Sequence, residues 1–262
     1  MVKGGGDLGT GVAYRLHRVG FRVLVTELER PTVIRRPVAF AEAVYEGAAV
    51  VEGVTARLVR DTAEAMTAWE QGEVAVLIDH QGEAVGSLQP GVLVDAIMAK
   101  RNTGTSLRDA PVVVALGPGF AAGRDAHAVI ETQRGHFLGR VIRQGEAMPN
   151  TGIPGEIGGA SVDRLLRAPA DGVFQGKARI GDRVKQGQVV ALVGGVPMRS
   201  GLSGVLRGLL RDGLSVKAGT KSGDVDPRAD PSHCFTISDK ALAVAGGALE
   251  AVLALWPRAE SP

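Results

Sequence analysis

The feature that most limits the fold of this chain is a glycine fingerprint at its start, within MVKGGGDLGTGVAYRLHRVG. Gly4, Gly6 and Gly9 form the pattern Gly-x-Gly-x-x-Gly. This pattern binds a dinucleotide only where a strand precedes it and a helix follows it, because the pyrophosphate sits on the free N–H groups at the helix N-terminus. Residues 1–3 alone can supply the strand, so the alternative is a tight strand-to-helix turn without a ligand.

The residues after the glycines favour the dinucleotide interpretation. Apolar spacing predicts a helix that Gly20 ends, and Phe21–Val25 is typical of a second strand. Glu27 lies eighteen residues after Gly9, close to where an acidic residue bonds a ribose hydroxyl. Asp7 opposes this interpretation, since a carboxylate repels phosphate oxygens unless a cation or hydrogen bonds intervene.

Strand and helix patterns alternate from residue 21 to about residue 116. VAVLID (74–79) and PVVVALGPGF (111–120) are typical of buried strands, and the apolar spacing of VLVDAIMAK (92–100) predicts a helix. The alternation predicts an α/β domain with a Rossmann-like parallel sheet. Ligands bind at the carboxyl ends of such strands. The residues expected at that edge are the glycine loop, Glu27, Asp79, Gly117 and Gly119.

Three basic or titratable residues are further candidates for the site. Arg35, beside Arg36, is either part of a solvated pair or a clamp that binds a phosphate bidentately. In ETQRGHFLGR, Arg134 is a candidate anion ligand and His136 a candidate catalytic acid or base near neutral pH. The alternative for ETQRGHFLGR is a polar turn with an exposed histidine.

A repeat follows residue 167, where helical periodicity ends. Residues 172–193 and 204–225 align at an offset of 32, with nine of 22 positions identical. Two such units can bury a face only against each other. The G-D-x-V-K-x-G pattern of the first copy, which stands as GLSVKAG in the second, resembles the biotinyl/lipoyl-type barrel-sandwich hybrid. The modified lysine of such domains would fall in GGVPMRSG (194–201), where no lysine stands. We therefore expect an unmodified structural or interaction domain.

These patterns divide the chain into three parts. Residues 1–166 are expected to form the Rossmann-like α/β domain, 167–235 the small all-β barrel-sandwich hybrid, and 236–262 a C-terminal helix and tail. Ser238 and Asp239 are typical of a helix start, and the charges in this helix argue against membrane insertion.

Composition excludes several classes of function. With 30 basic and 28 acidic residues and 4% aromatic residues, the chain lacks a nucleic-acid footprint. No zinc or calcium spacing occurs, so no metal is expected. The single cysteine, Cys234, and the lack of an apolar signal region predict a cytoplasmic protein. Because PSHCFTI turns apolar after the thiol, we expect Cys234 to be structural.

The segments GGGDLGTGVAYRLHRVGF, TELERPTVIRR, ETQRGHFLGR, NTGIPGEIGG and FTISDKALAVAGGALEAVL extend over most of the chain. Together they resemble the YqeB-type accessory proteins of selenium-dependent molybdenum hydroxylase systems, and more distantly the XdhC-type molybdenum-cofactor chaperones.

The resemblance implies a cytoplasmic bacterial maturation factor. Its ligand would be a phosphate-bearing small molecule: NAD(P), another nucleotide, or the phosphate end of molybdopterin. Its partners would be the client molybdenum hydroxylase or other maturation proteins, with self-association into a homo-oligomer left open. Two alternatives remain at this stage, an NAD(P)-dependent oxidoreductase that uses Glu27 and His136, and a non-catalytic scaffold that docks the client.

Overall fold

The structure is a computed structural model that describes residues 1–152 and 155–256. It is mixed α/β and divides into two compact units. The first unit comprises Met1–Glu29, Phe40–Asn150 and the chain from Ile237 onward, and the second comprises Arg30–Ala39 and Thr151–Thr236.

The first unit is built on a nine-stranded sheet that is mostly parallel. Its strands, with the two that form a separate small pair, are β1 (Val2–Lys3), β2 (Leu24–Glu27), β3 (Ala48–Val51), β4 (Val54–Val59), β5 (Val74–Ile78), β6 (Val92–Asp95), β7 (Val112–Leu116), β8 (Ala121–Ala122), β9 (Ala128–Ile130), β10 (Val141–Ile142) and β11 (Gly145–Glu146). The order in the sheet is β10-β9-β7-β6-β1-β2-β5-β4-β3, and β8 pairs with β11. Only the edge strands β3 and β10 are antiparallel to their neighbours.

The helices of this unit are α1 (Asp7–Arg18), α2 (Ala43–Glu46), α3 (Thr62–Glu70), α4 (Glu83–Leu88) and α5 (Asp239–Leu255). Short 3₁₀ turns cover Arg36–Val38, Phe40–Glu42, Val162–Arg164 and Pro231–Cys234. Within the described part of the chain, no helix has the length and apolar character needed to cross a bilayer.

A strand of only two residues, β1, lies at the centre of the main sheet. In β1, Val2 pairs with Val25 of β2 on one side and with Val94 of β6 on the other. After β1 the chain forms α1 and then β2, β5 and β4 on one side of β1, whereas β6, β7 and β9 lie on its other side. The direction in which strands are added therefore reverses between β1 and β6. In open parallel sheets, this switch point opens the crevice that binds ligands.

The prediction of a helix over residues 92–100 is wrong. Val92–Asp95 is strand β6, all four residues are buried, and the chain beyond it is irregular, with Met98 and Lys100 at positive φ. Because β6 lies between β1 and β7, both of its edges are hydrogen-bonded, and its side chains are buried in the sheet. A short strand of that kind carries a continuous apolar run, which periodicity alone does not separate from a buried helix.

The helix start predicted at Ser238 agrees with the structure, and α3 begins with a similar side-chain cap. Asp61 accepts a hydrogen bond from the Glu64 amide at the start of α3, and Ser238 accepts one from the Ala241 amide at the start of α5. Helix α5 packs against α1, where an added Cβ on Gly11 would lie 3.0 Å from the Ala241 Cβ.

The second unit contains two four-stranded antiparallel sheets. Its strands are β12 (Leu165–Arg167), β13 (Gly172–Gly176), β14 (Arg183–Val184), β15 (Val189–Val193), β16 (Val196–Arg199), β17 (Gly204–Leu209), β18 (Ser215–Val216) and β19 (Lys221–Asp226). One sheet has the order β12-β19-β17-β14 and the other β16-β15-β13-β18. An apolar core that includes Phe174, Val190, Leu206 and Val225 draws on both sheets, and neither sheet closes into a barrel within the residues described.

The sequence repeat is visible in the strand pairing. Strands β13, β14 and β15 of the first copy correspond to β17, β18 and β19 of the second at the offset of 32 residues. Each copy places its middle strand in the other copy's sheet: Gly172 pairs with Val216, and the equivalent Gly204 pairs with Val184. Neither copy can therefore complete a sheet by itself.

Candidate functional site

The glycine loop lies at the switch point between β1 and β6. Gly4 has φ +92°, and a Cβ there would lie 3.0 Å from the Ala96 carbonyl oxygen. A Cβ on Gly9 would overlap the Gly4 carbonyl oxygen. Gly6 is the N-cap of α1. The first and third glycines thus serve the turn and the helix–strand packing, and the second stands where a phosphate would approach, which are the three roles known for the fingerprint.

Glu27 is bonded directly to the glycine loop. Its two carboxylate oxygens accept hydrogen bonds from the amides of Gly5, at 2.7 Å, and Leu28, at 2.9 Å. Burial raises the pKa of Glu27, and these two amide hydrogen bonds oppose the rise. Glu27 therefore stands at the end of β2, as the sequence predicts, with each oxygen already serving one backbone donor.

A short segment after β2 covers the other side of the loop. The Thr10 hydroxyl donates to the Gly5 carbonyl at 2.8 Å and accepts from the Phe40 amide at 2.9 Å, while the Ala41 amide donates to the Gly5 carbonyl at 3.0 Å. The loop is thus held by the protein before any ligand is present. Asp7 occupies the first turn of α1.

A polar network that sequence reasoning missed lies at the end of β6. Asp95, 1% exposed, accepts from the Thr105 hydroxyl at 2.7 Å and from the Ile97 amide at 3.1 Å. The Lys3 ammonium donates to the same hydroxyl at 3.0 Å and lies 3.3 Å from a carboxylate oxygen of Asp109. Burial raises the pKa of Asp95, the Thr105, Ile97 and Lys3 groups oppose the rise, and Asp109 adds to it. Interpreting residues 92–95 as a strand would have placed Asp95 at the ligand edge.

Carboxylates also follow two other parallel strands. Asp79, after β5, accepts from three amides at the start of α4, those of Gly82, Glu83 and Ala84. Glu131, after β9, accepts from the amides of Gln133 and Met148 at 2.7 and 2.8 Å. These acids organise the loops that follow the strands.

Gly117 and Gly119 follow β7, two strands from β1. A Cβ on Gly119 would lie 2.6 Å from the Arg101 amide nitrogen, and one on Gly117 would overlap the Thr132 hydroxyl. Because the loop after β6 contacts Gly4 at one end and Gly119 at the other, it lies between the two glycine turns.

Arg134 and His136 lie elsewhere on the first unit. The Arg134 guanidinium bonds both carboxylate oxygens of Asp239, at 2.7 and 2.9 Å, in the first turn of α5. His136 is exposed beside Phe137, with a ring-centroid distance of 5.1 Å. Both residues follow β9, which stands three strands from β1, about 14 Å at the usual strand spacing.

Arg35 belongs to the second unit. It is 5% exposed, and its guanidinium donates to the carbonyl oxygens of His233 and Thr236 at 2.8 and 2.9 Å. Both of these hydrogen bonds are made to backbone acceptors of its own unit.

The start of α1 is a candidate anion site, and the described residues contain no cluster of metal ligands. The backbone amides at the start of α1 carry the partial positive charge of the helix dipole, which suits a phosphate. Over residues 1–152 and 155–256, no three His, Cys, Asp or Glu side chains are grouped as a metal would require.

Comparisons with known proteins give one strong similarity. No family model matches the chain. It is 50% identical over 255 residues to the uncharacterized protein YqeB of Escherichia coli (strain K12), which covers 97% of the chain and 47% of YqeB. The chain thus spans about half the length of this relative.

Similarities to solved structures are weak. An aspartoacylase family protein from Mesorhizobium loti has a TM-score of 0.27 and 12% identity, covering 78% of this chain and 83% of that protein. The ectoine utilization protein EutE (DoeB) from Ruegeria pomeroyi, with product bound, has a TM-score of 0.27 and 14% identity, covering 86% of each chain. Scores this low support no argument about fold or function.

Proposed function

We propose that this chain is a cytoplasmic accessory factor that binds a phosphate-bearing ligand at the carboxyl ends of β1 and β6 and takes part in the maturation of selenium-dependent molybdenum hydroxylases. The ligand is a nucleotide or the phosphate end of the molybdenum cofactor's pterin. The observation that carries the binding proposal is the position of the Gly4–Gly9 loop and the α1 N-terminus at the switch point of the sheet.

The geometry supports a Rossmann-like mode of binding. Gly6 caps α1 without a side chain, so phosphate oxygens can approach the backbone there. Each Glu27 oxygen accepts one amide bond and retains a second lone pair, which a ribose hydroxyl can use. Asp7 counts against tight binding of a bare pyrophosphate and favours a ligand that also brings a cation or hydroxyl donors.

The pathway rests on similarity alone. The 50% identity to YqeB supports membership of that group of accessory proteins, and the role in hydroxylase maturation follows from the resemblance. Because the relative is about twice as long, contacts with a client enzyme are also part of the proposal.

We assign the second unit the role of a barrel-sandwich hybrid without a prosthetic group. Its β15–β16 hairpin turns through Gly194 and Gly195, both at positive φ, at the point where such domains carry a modified lysine. Since no lysine stands there, the hairpin serves contact with a client protein instead of a swinging arm.

Titration of the full chain with NAD, NADP, ATP, CTP and molybdopterin tests the binding proposal. Calorimetry measures affinity, and amide NMR signals of Gly6, Asp7 and Leu8 report the site. We expect at least one ligand to bind and to shift these three signals.

Two variants separate a helix-terminus site from general charge effects. Asp7→Asn removes the carboxylate nearest the helix start and should strengthen binding of inorganic pyrophosphate about two- to fivefold, the effect of one charge at a helix terminus. Glu29→Gln, an exposed acid of the same unit, should leave it unchanged. Absence of binding by all five ligands, or binding that leaves the Gly6–Leu8 signals in place, would reject the proposal.

A further inference from the structure

A cationic groove lies wholly within the second unit. It encloses about 960 Å³ and is lined by Arg36, Lys177, Arg179 and Arg211, together with the carboxylates of Asp182 and Asp212. A volume of this size is typical of a small-molecule site. The groove is separate from the glycine loop, which belongs to the first unit.

The two carboxylates in the groove are engaged by backbone donors. Asp212 accepts from the Gly176 amide at 2.7 Å, and Asp182 accepts from the Arg179 amide at 2.8 Å. The Asp182 bond closes a turn, whereas the Asp212 bond joins the two copies of the repeat. With four cationic and two anionic side chains, the lining carries a formal charge of +2. The whole 262-residue chain carries only that same formal charge. Positive charge is therefore concentrated here.

The repeat and the Arg30–Ala39 segment together build this concentration. Arg179 and Arg211 are equivalent positions of the two copies, 32 residues apart, so both copies contribute the same cation to one groove. Arg36 comes from outside the repeat, and its Nε donates to the Leu209 carbonyl at 2.9 Å. The Leu209 amide in turn donates to the Ile34 carbonyl at 2.8 Å, which fixes the Arg36 segment against β17.

We propose that this groove binds a small molecule with adjacent phosphate groups, of the pyrophosphate or nucleoside-diphosphate class. Guanidinium forks bind phosphate oxygens bidentately, and three of the four cations are arginines. None of the described residues that line the groove is aromatic, so recognition falls on the phosphates and not on a stacked base. A groove of this volume can accommodate a small ligand. This inference does not depend on the glycine-loop site.

The test is a titration of the full chain with inorganic pyrophosphate, followed by amide NMR. We expect the Gly176, Ala178 and Asp212 signals to shift together. Arg179→Gln and Arg211→Gln should each weaken this binding about tenfold or more, as the loss of a charge-assisted hydrogen bond predicts. Lys185→Gln, the same change of charge at an exposed site of the same unit outside the lining, should stay within about twofold of the parent. Unchanged spectra outside the groove show that each variant is folded.

Several outcomes would overturn the proposal. They are the absence of any shift in the groove signals at millimolar pyrophosphate, equal weakening in Lys185→Gln, and tighter binding of citrate or of a poly-glutamate peptide than of pyrophosphate. The Gly6–Leu8 signals report the first-unit site separately, so either site can fail without the other.

Discussion

At the scale of single residues, Asp95 is a buried titratable group at the switch point of the sheet. Its carboxylate is almost fully buried, and its hydrogen bonds come from one hydroxyl and one amide. A folded-state pKa raised by burial means that the folded protein holds this proton more tightly than the unfolded chain does. Ionised Asp95 therefore costs stability, and the cost appears as the pH rises above the unfolded pKa of 3.8 and is complete above the folded pKa.

Asp95→Asn tests this statement. Asparagine can accept from the Ile97 amide and donate to the Thr105 oxygen, so it keeps both contacts and carries no charge. Between pH 4 and 7 we expect the unfolding free energy of the variant to rise relative to the parent, by about 1.4 kcal/mol for each unit of pKa difference. Urea denaturation at several pH values measures this. A flat difference for Asp95→Asn across this range would contradict the prediction.

Cys234 is also a residue-scale case. It is fully buried, with its sulfur 3.7 Å from the Leu206 carbonyl oxygen, as expected of a structural cysteine. Burial raises the pKa of the thiol, although the cations of Arg35 and Arg207 oppose the rise. A buried thiol with a raised pKa supplies little thiolate for reaction.

We therefore expect slow alkylation of Cys234 in the native protein and fast alkylation in urea. Cys234→Ala should destabilise the protein by about 1 kcal/mol, since it removes a small buried apolar group. Iodoacetamide labelling followed by mass spectrometry gives the rates. Native labelling at the rate of a free cysteine would show that the thiol is accessible and reactive.

At the scale of elements, α5 contains two adjacent glycines with different surroundings. A Cβ on Gly247 would overlap the Gly139 carbonyl oxygen, which is backbone and cannot easily move. A Cβ on Gly246 meets no atom within 4 Å. Gly247 permits α5 to approach the turn after β9, whereas Gly246 is only a poor helix former.

The matched pair Gly246→Ala and Gly247→Ala follows from this. Gly246→Ala should stabilise the protein by about 0.5–1 kcal/mol through helix propensity. Gly247→Ala should destabilise the protein by about 1–3 kcal/mol or more, the usual cost of overpacking. Thermal and urea unfolding of the two variants measure these stability changes. Similar effects from both substitutions would mean that α5 does not approach Gly139 closely.

At the scale of the whole molecule, the exchange of strands between the two repeat copies determines how cooperatively the second unit unfolds. Since β14 of the first copy lies in the sheet of the second and β18 of the second in the sheet of the first, the two copies share their hydrogen-bonded ladders. We expect the second unit to unfold as one cooperative block and not copy by copy.

Leu206 is fully buried in the second copy, so Leu206→Ala tests whether the second unit unfolds as one cooperative block. It should cost about 2–5 kcal/mol. Native-state hydrogen exchange should show the same loss of protection in β13 and β15 of the first copy as in β17 and β19. Val173→Ala, at a half-exposed site in β13, is the control with a small expected effect. Loss of protection confined to β17 and β19 would show that the copies open independently.

The amino-acid sequence by itself determined the features that depend on near neighbours. The glycine turn, the helix that Gly20 ends, Glu27 after β2 and the Ser238 cap all follow from patterns within a few residues. The repeat also predicted paired β units, because it is written directly in the sequence.

Only the tertiary structure determined which apolar run forms a strand and which charged side chains make contacts with each other or with polar groups. Residues 92–95 form a strand because β1 and β7 hydrogen-bond to its two edges, and a local pattern does not contain those neighbours. Arg134 meets Asp239 across 105 residues, and Lys3 meets Thr105 across 102, so their contacts arise from packing. The exchange of middle strands between the repeat copies has the same origin: hydrogen-bond partners in a sheet are chosen by which edges remain open once the core has formed.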